Sequence, residues 1–187
     1  MTDPTLPDIL HPVHHVALLH SINLGQQRKV GMAALRELFG RLGYADAQTY
    51  IQSGNVLFSA PALAPDLRAS LEAALEAEFG FAIPVTLRTA AQWRELVQAC
   101  PPDLLTEAVT VGVLGAAPEP GALARLRERD VAPERWAVVG TALYQTVPAG
   151  VRQLRLSHAA IQRVLGVTCT VRNWRTVQAL AGRLEGR

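Results

Sequence analysis

The sequence predicts an α/β fold (α+β in layer terms) made of two similar halves, each with the element order β-α-β-β-α-β followed by a further helix. Strand-like and amphipathic helical runs alternate in this order twice along the 187 residues. The ends of the halves also match locally, because VTLRTAAQW (85–93) and CTVRNWRTV (169–177) both run from Thr-x-Arg into a helix cap, pairing Arg88 with Arg172. We therefore expect a tandem duplication of a ferredoxin-like unit, with four antiparallel strands and helices on one face of the sheet.

The elements of the first half follow from the spacing of their apolar residues. They are a strand at 14–22, a helix at 32–44, two hairpin strands AQTYIQ and NVLFSA, a helix at 64–80, a strand at 83–88, and a helix AAQWRELVQA capped by Thr89. Leu35, Leu38, Phe39 and Leu42 recur at the i, i+3, i+4 and i+7 positions of an amphipathic helix. Gly54-Asn55 favours a tight turn between the hairpin strands, because glycine accepts a positive φ there.

The second half repeats the same order of elements. They are a strand at 109–115, a helix PGALARLRER starting at Pro120, a hairpin of WAVVG and TALYQTV across Gly140-Thr141, a helix SHAAIQRVLG, a strand VTCTVR, and a helix WRTVQALAGRL capped by Asn173. The predicted organisation is one compact domain. Its parts are an extension at 1–13, a first half at 14–100, a linker at 101–106 and a second half at 107–187.

Composition is that of an ordinary globular chain, with 49% hydrophobic and 18% charged residues. The apolar runs are too short to span a bilayer, and the first ten residues lack the basic start and apolar stretch of a signal peptide. Two cysteines, Cys100 and Cys169, do not make a disulfide framework, so we expect a cytoplasmic protein with inert thiols. Charge is uneven, because residues 151–187 carry seven arginines and one acid, which points weakly to an anionic partner.

A polar loop and a hairpin tip form the first candidate site. In a ferredoxin-like unit, loop 20–31 and hairpin tip 52–55 lie at the same end of the sheet, so we expect Asn23 and Asn55 to be close. The loop leads into a helix N-terminus, where unpaired backbone N–H groups and the helix dipole favour anions. The predicted ligand-binding residues are His20, Asn23, Gln26, Arg28, Lys29, Gln52, Ser53 and Asn55. The alternative is purely conformational, since Asn and Gly are common in turns.

A second candidate site is the segment RNWRT, with Arg172, Asn173, Trp174 and Arg175 at the start of the last helix. The arginines could bind a phosphate and the indole could stack on a base or sugar. In the alternative interpretation Asn173 is only a cap and Trp174 is a buried anchor.

Four of the five histidines cluster near the start of the chain, at His11, His14, His15 and His20. Clustered histidines can bind zinc, but His14 and His15 should point to opposite faces of a strand, so we predict no specific metal site and no cofactor. Ser157-His158 is read as a helix start rather than a catalytic pair, because no G-x-S-x-G elbow is present.

The stretch VALLHSINLGQQRKVGMAALRELFGRLGYADAQTYIQSGNVLF, together with RTAAQWRELV and RNWRTVQALA, resembles the bacterial domain-of-unknown-function family 1697. The resemblance covers residues 14–185 and implies a two-part α/β fold with no established reaction. The family usually has Arg-Gly-Ile-Asn-Val-Gly-Gly after the first strand and Ser-Lys-Leu before a later helix, where this chain has His20 to Gln26 and Leu154 to Leu156. These departures weaken a phosphate cradle carried over from the family.

Three functions remain open from the sequence. The leading hypothesis is a non-enzymatic protein that binds a small phosphate- or carboxylate-bearing ligand at loop 20–31 and tip 52–55. The second is nucleic-acid binding through the basic C-terminal segment and an exposed sheet face. The third is an enzyme acting on a phosphorylated or acyl substrate, with His20 as acid or base. No membrane partner is expected, and the oligomeric state is not predicted.

Overall fold

The computed structural model describes residues 12–61, 66–106, 108–150 and 153–186. The first strand begins at Pro12, so the last two residues of the predicted extension at 1–13 belong to this strand. The remainder of that extension, including His11, lies outside the described residues.

The described chain contains two four-stranded antiparallel sheets and six α-helices. The elements are β1 (Pro12–Leu19), α1 (Met32–Arg41), β2 (Gln48–Tyr50), β3 (Asn55–Pro61), α2 (Leu67–Phe79), β4 (Val85–Thr89), α3 (Ala90–Gln98), a 3₁₀ turn (Pro102–Thr106), β5 (Val109–Leu114), α4 (Pro120–Arg127), β6 (Trp136–Val139), β7 (Ala142–Thr146), α5 (His158–Leu165), β8 (Cys169–Asn173) and α6 (Trp174–Glu185). The strand orders β2-β3-β1-β4 and β6-β7-β5-β8 repeat each other, which confirms the predicted fold class of duplicated ferredoxin-like units.

The first compact unit comprises the described residues up to Gln92 and the end of α6 from Arg183. Its core lies between one face of the sheet and the helices α1 and α2. Phe39 of α1 meets Phe58 of β3 edge to face, with ring centroids 5.1 Å apart, and Leu35 and Leu75 are fully buried in the same cluster. Three residues of the predicted apolar stripe, Leu35, Leu38 and Phe39, are therefore buried. The fourth, Leu42, is the C-cap residue of α1 and is exposed.

The second compact unit runs from Trp93 to Gly182. α4 and α5 cover one face of its sheet, where Leu126 and Ile161 are buried with Leu143 of β7. This unit begins earlier than the predicted boundary at 100, because most of α3 belongs to it. The indole N–H of Trp93 donates to the Val177 carbonyl over 3.1 Å, which attaches α3 to α6.

The predicted helix caps are confirmed at both Thr-x-Arg ends. Thr89 Oγ1 accepts from the Gln92 N–H at 3.2 Å while Gln92 Oε1 accepts from the Thr89 N–H at 3.0 Å, a reciprocal capping box. At the matching place in the second unit, Asn173 Oδ1 accepts from the Thr176 N–H at 2.8 Å. The two cap positions are thus equivalent in structure as well as in sequence.

The two hairpins differ, and the first was predicted wrongly. In the second unit Val139 pairs with Ala142, which leaves the expected two-residue turn at Gly140-Thr141. In the first unit Tyr50 pairs with Asn55, so Asn55 is part of β3 and the loop is residues 51–54. Gly54 has the expected positive φ of 75°, but it closes a four-residue loop instead of opening a two-residue turn.

Within the described residues, none of the helices combines the length and the apolar character needed to cross a bilayer.

Candidate functional site

Asn23 joins the polar loop to the hairpin tip. Its Oδ1 accepts from the Val30 N–H at 2.9 Å, and its Nδ2 donates to the carbonyls of Val30 at 3.1 Å and Gln52 at 3.0 Å. Loop 20–31 and tip 52–55 therefore meet at one end of the first sheet. The side-chain amide of Asn23 therefore holds the loop closed. The backbone of Asn23 is left-handed, with φ 54°, a conformation that asparagine tolerates.

The two most buried polar residues of this end also bond to the fold itself. Asn55 has no exposed surface, and its Nδ2 donates to the Tyr50 carbonyl and to Ser53 Oγ, both at 2.9 Å. His20 is buried, with Nε2 2.8 Å from Thr86 Oγ1 on the neighbouring strand β4. Asn55 thus closes the four-residue hairpin loop, which explains why a strand begins with this polar residue.

Arg28 anchors the loop to the segment that precedes β4. Its Nε donates to the Ser21 carbonyl and one terminal nitrogen donates to the Ala82 carbonyl, each at 2.7 Å. Its Cζ also lies 4.6 Å from the centroid of the Phe81 ring, in a cation–π contact. The guanidinium is directed at protein carbonyls rather than at open solvent.

The remaining polar residues of this end, Gln26, Lys29 and Gln52, are exposed. The fold brings all eight predicted residues to one end of the first unit, but it uses His20, Asn23, Arg28, Ser53 and Asn55 in hydrogen bonds. Ligand binding by these residues stays a prediction.

In the second candidate segment, RNWRT, polar side chains also bond to protein atoms. Arg172 is buried, and one terminal nitrogen donates to Thr170 Oγ1 at 2.8 Å and to the Val171 carbonyl at 2.9 Å. Burial lowers the pKa of its guanidinium to about 10, with a smaller opposing effect from Cys169. Asn173 is a helix cap, Trp174 is half-buried and Arg175 is exposed. Binding at this segment also stays a prediction.

Burial dominates the chemistry of the cysteines. It raises the pKa of the Cys169 thiol to about 12, with a smaller lowering effect from Arg172, so the reactive thiolate is not populated near neutral pH. Desolvation, followed by the charge of Asp103, likewise raises the pKa of the Cys100 thiol.

His14 and His15 lie on opposite faces of β1, as expected for neighbours in a strand. His14 Nδ1 is 2.8 Å from Ser59 Oγ, whereas the His15 ring stacks on Phe58 in the core at a centroid distance of 5.5 Å. In the part of the chain that the structure describes, no three His, Cys, Asp or Glu residues are grouped so as to hold a metal ion.

A cavity in the first unit was not predicted from the sequence. Its volume is about 390 Å³, and it is lined by residues 66–69 at the start of α2, by 87–89 at the end of β4, and by His15 and Gln92. Thr89 pairs with His15 in the first half of β1, whereas Asn55 pairs with Leu18 near the end of that strand. The cavity and the polar loop therefore lie at different positions along β1.

The start of α2 gives the cavity a positive character. Asp66 is the N-cap residue, but its side chain accepts no hydrogen bond from the helix, and the first turn contains no acidic residue. The first N–H groups of this 13-residue helix therefore lack a side-chain cap. Arg68 is exposed and makes no hydrogen bond or ion pair with any described residue. Arg88 also borders the cavity, but it pairs with Val16 on the other face of the sheet, and its guanidinium donates to the Leu87 carbonyl at 2.7 Å.

Comparison with known proteins agrees with the duplicated fold. The model of the family described as a protein of unknown function, DUF1697, matches residues 13–144. The chain belongs to the DUF1697 family. Among solved structures, it is similar to the conserved bacterial protein SP0830 from Streptococcus pneumoniae, with 18% identity and a TM-score of 0.67 over 93% of this chain and 99% of that one. No functionally curated protein matches it in sequence.

In this DUF1697 chain, the cavity residues were visible in the sequence only as isolated features. Arg88 matches Arg172 in the repeated segment, and His15 is one of a cluster of histidines. The fold brings the cavity residues together through the crossover helix α2, because this helix places residues 66–69 beside the first and fourth strands. An arginine in the first turn of a helix without an acidic residue is the signal that could have indicated the site.

Proposed function

We propose that this protein binds a small ligand carrying a phosphate or carboxylate group, and that the cavity beside α2 holds it. The observation that carries the proposal is the cavity of about 390 Å³ in which the start of α2 and Arg68 meet. Small-molecule sites in proteins commonly have volumes of about 300–1,000 Å³, so the space suits a small metabolite rather than a polymer.

The electrostatics support an anionic ligand. Backbone N–H groups at a helix start carry partial positive charge, and a guanidinium adds a full charge in a geometry suited to carboxylate or phosphate. Arg68 is not paired with any described acid, so a ligand would not have to displace a protein partner from it.

The polar loop has less support as the place of binding. Its best hydrogen-bonding groups, the amides of Asn23 and Asn55 and the guanidinium of Arg28, already contact protein atoms at 2.7–3.1 Å. A ligand there would compete with bonds that hold the loop together. In the cavity the cost of rearrangement is smaller, and more of the interaction energy appears as affinity.

Nucleic-acid binding also has less support. On the sheet face away from α1 and α2, Val16, Leu18 and Leu57 have no exposed surface. Sheets that bind RNA present exposed aromatic side chains on which bases stack, and this face presents none of that kind among the described residues.

Calorimetric titration with inorganic phosphate, propyl phosphate and propanoate tests the proposal, using Arg68→Ala and the matched variant Arg127→Ala. Arg127 is also an exposed helical arginine, but it lies on α4 of the second unit. We expect at least one probe to bind, with an affinity about tenfold lower in Arg68→Ala and unchanged in Arg127→Ala. An equal loss in both variants, or a loss only in Lys29→Ala, would reject the cavity as the site.

A further inference from the structure

The tautomer of His15 follows from its hydrogen bond. His15 Nδ1 is 2.8 Å from the carbonyl oxygen of Val13. A carbonyl oxygen can only accept, so Nδ1 must carry the proton. In the neutral imidazole Nε2 is then unprotonated and is a hydrogen-bond acceptor.

Nε2 of His15 is available to the cavity. The His15 side chain is only 9% exposed, it lines the cavity, and its Nε2 has no hydrogen-bond partner among the described residues. No side-chain nitrogen or oxygen of the described residues is both sealed from solvent and without a partner, so Nε2 must reach open space. The cavity is the open space that His15 lines.

A second acceptor lies at the same cavity. Asp66 is exposed, and its carboxylate accepts no bond from the helix that it precedes. The lining thus combines donors, at Arg68 and the start of α2, with acceptors at His15 and Asp66.

This arrangement restricts the ligand further than charge alone does. A purely anionic ligand would satisfy the donors and leave a nine-tenths-buried acceptor without a partner, which is costly once water is excluded. A hydroxyl group supplies the missing donor. An ammonium group supplies it less well, because it would be desolvated in a lining that already contains the Arg68 guanidinium and the positive start of α2.

We propose that the ligand of this cavity is a hydroxylated small anion, either a hydroxy acid or a sugar-phosphate-like ester, whose hydroxyl donates to His15 Nε2 while its anionic group lies at Arg68 and the start of α2. This assignment rests on the proposed function and names the class of ligand for the same site.

Two pairs of probes test the assignment by calorimetric titration near pH 8, where His15 is neutral. Glycerol 3-phosphate is compared with propyl phosphate, and glycerate with propanoate, because the members of each pair differ only in their hydroxyl groups. We expect the hydroxylated member of at least one pair to bind about tenfold more tightly. The pair that shows the preference distinguishes an ester from an acid.

The variant His15→Phe keeps an aromatic ring next to Phe58 and removes the acceptor. We expect it to lose the preference for the hydroxylated probe, so that the two members of a pair bind it with equal affinity. Arg68→Ala should instead weaken both members of a pair by the same factor. The ¹⁵N resonance of His15 Nε2 in the wild type gives a second readout, and it should shift on addition of the hydroxylated probe only.

The outcomes separate the two proposals. If the probes bind without preference for the hydroxylated member, or if the preference persists in His15→Phe, the hydroxyl assignment is wrong and the anion site stands. If no anionic probe binds at all, the proposed function fails and this assignment fails with it.

Discussion

Two regions of the first unit differ in how their polar side chains are used. The polar loop 20–31 and the tip 52–55 are rich in Asn, Gln, Arg and His, yet most of these groups bond to protein atoms. The cavity beside α2 contains fewer polar residues, but Arg68 and His15 Nε2 have no partner among the described residues. A concentration of polar residues in a sequence therefore does not indicate how many of them remain available to a ligand. Variants of the loop should change stability, and variants of the cavity should change binding.

The largest expected effect is at the hairpin tip, where Gly54→Ala is compared with Gly140→Ala. Both glycines have positive φ, 75° and 55°, so both variants carry the backbone cost of a left-handed alanine. A Cβ on Gly54 would also lie 2.8 Å from Leu19 Cβ and from Ile22 Cδ1, whereas one on Gly140 meets nothing within 4 Å. We expect losses in the free energy of unfolding of about 3–4 kcal/mol and about 1 kcal/mol, respectively.

Urea denaturation of the two glycine variants measures this difference. Equal losses would mean that the first hairpin tip is not packed against Leu19 and Ile22, and the account of the loop as a rigid structural device would be incorrect.

The second-largest loss of stability is expected for Asn55→Ala, with Gln52→Ala as the control in the same hairpin tip. Asn55→Ala removes the side-chain hydrogen bonds to the Tyr50 carbonyl and to Ser53 Oγ at a fully buried position, and it leaves the Tyr50 carbonyl short of one donor. We expect the free energy of unfolding to fall by about 2 kcal/mol, against less than about 0.5 kcal/mol for the exposed Gln52. If Asn55→Ala keeps wild-type stability and loses affinity for an anion, Asn55 belongs to a binding site after all.

A smaller effect is expected from the titration of His15. Desolvation is the main cause that lowers the pKa of His15 below 6.5, the charge of His14 adds to it, and the bond to Val13 opposes it. The unfolded chain then binds the proton more readily than the folded one. The contribution of His15 to stability is therefore complete above pH 6.5 and declines as the pH falls from 6.5 through the folded pKa.

The difference in unfolding free energy between the wild type and His15→Phe isolates this contribution, because the other histidines are common to both. The wild type should lose stability relative to the variant as the pH is lowered from neutral. A constant difference across this range would show that His15 is not desolvated in the folded protein.

Local features of the fold could be predicted from the sequence, because each depends on neighbours in the chain. The apolar spacing predicted the buried face of α1 at Leu35, Leu38 and Phe39, though not the exposure of Leu42 at its end. Thr89 and Asn173 were predicted correctly as helix caps. The first turn was predicted wrongly because glycine followed by asparagine fits both a two-residue turn and the end of a longer loop. Which of these two turns forms depends on the strand register, in which Tyr50 pairs with Asn55.

The candidate site could be predicted only in part, for a different physical reason. The meeting of loop and tip followed from strand order, and the bond from Asn23 to the Gln52 carbonyl agrees with it. Whether a polar group is free depends on partners that are distant in sequence, such as Ala82 for Arg28. The cavity likewise needs His15, Arg68 and Thr89 together, and no local pattern relates them.

The most direct measurement of the central claim is the change in backbone amide chemical shifts when glycerol 3-phosphate is added to the ¹⁵N-labelled protein. The account predicts saturable shifts at the start of α2, residues 67–69, and at Thr89, with little change at residues 23–31 and 52–55. Saturable shifts confined to the loop and the tip would contradict it, and would return the binding site to the polar loop.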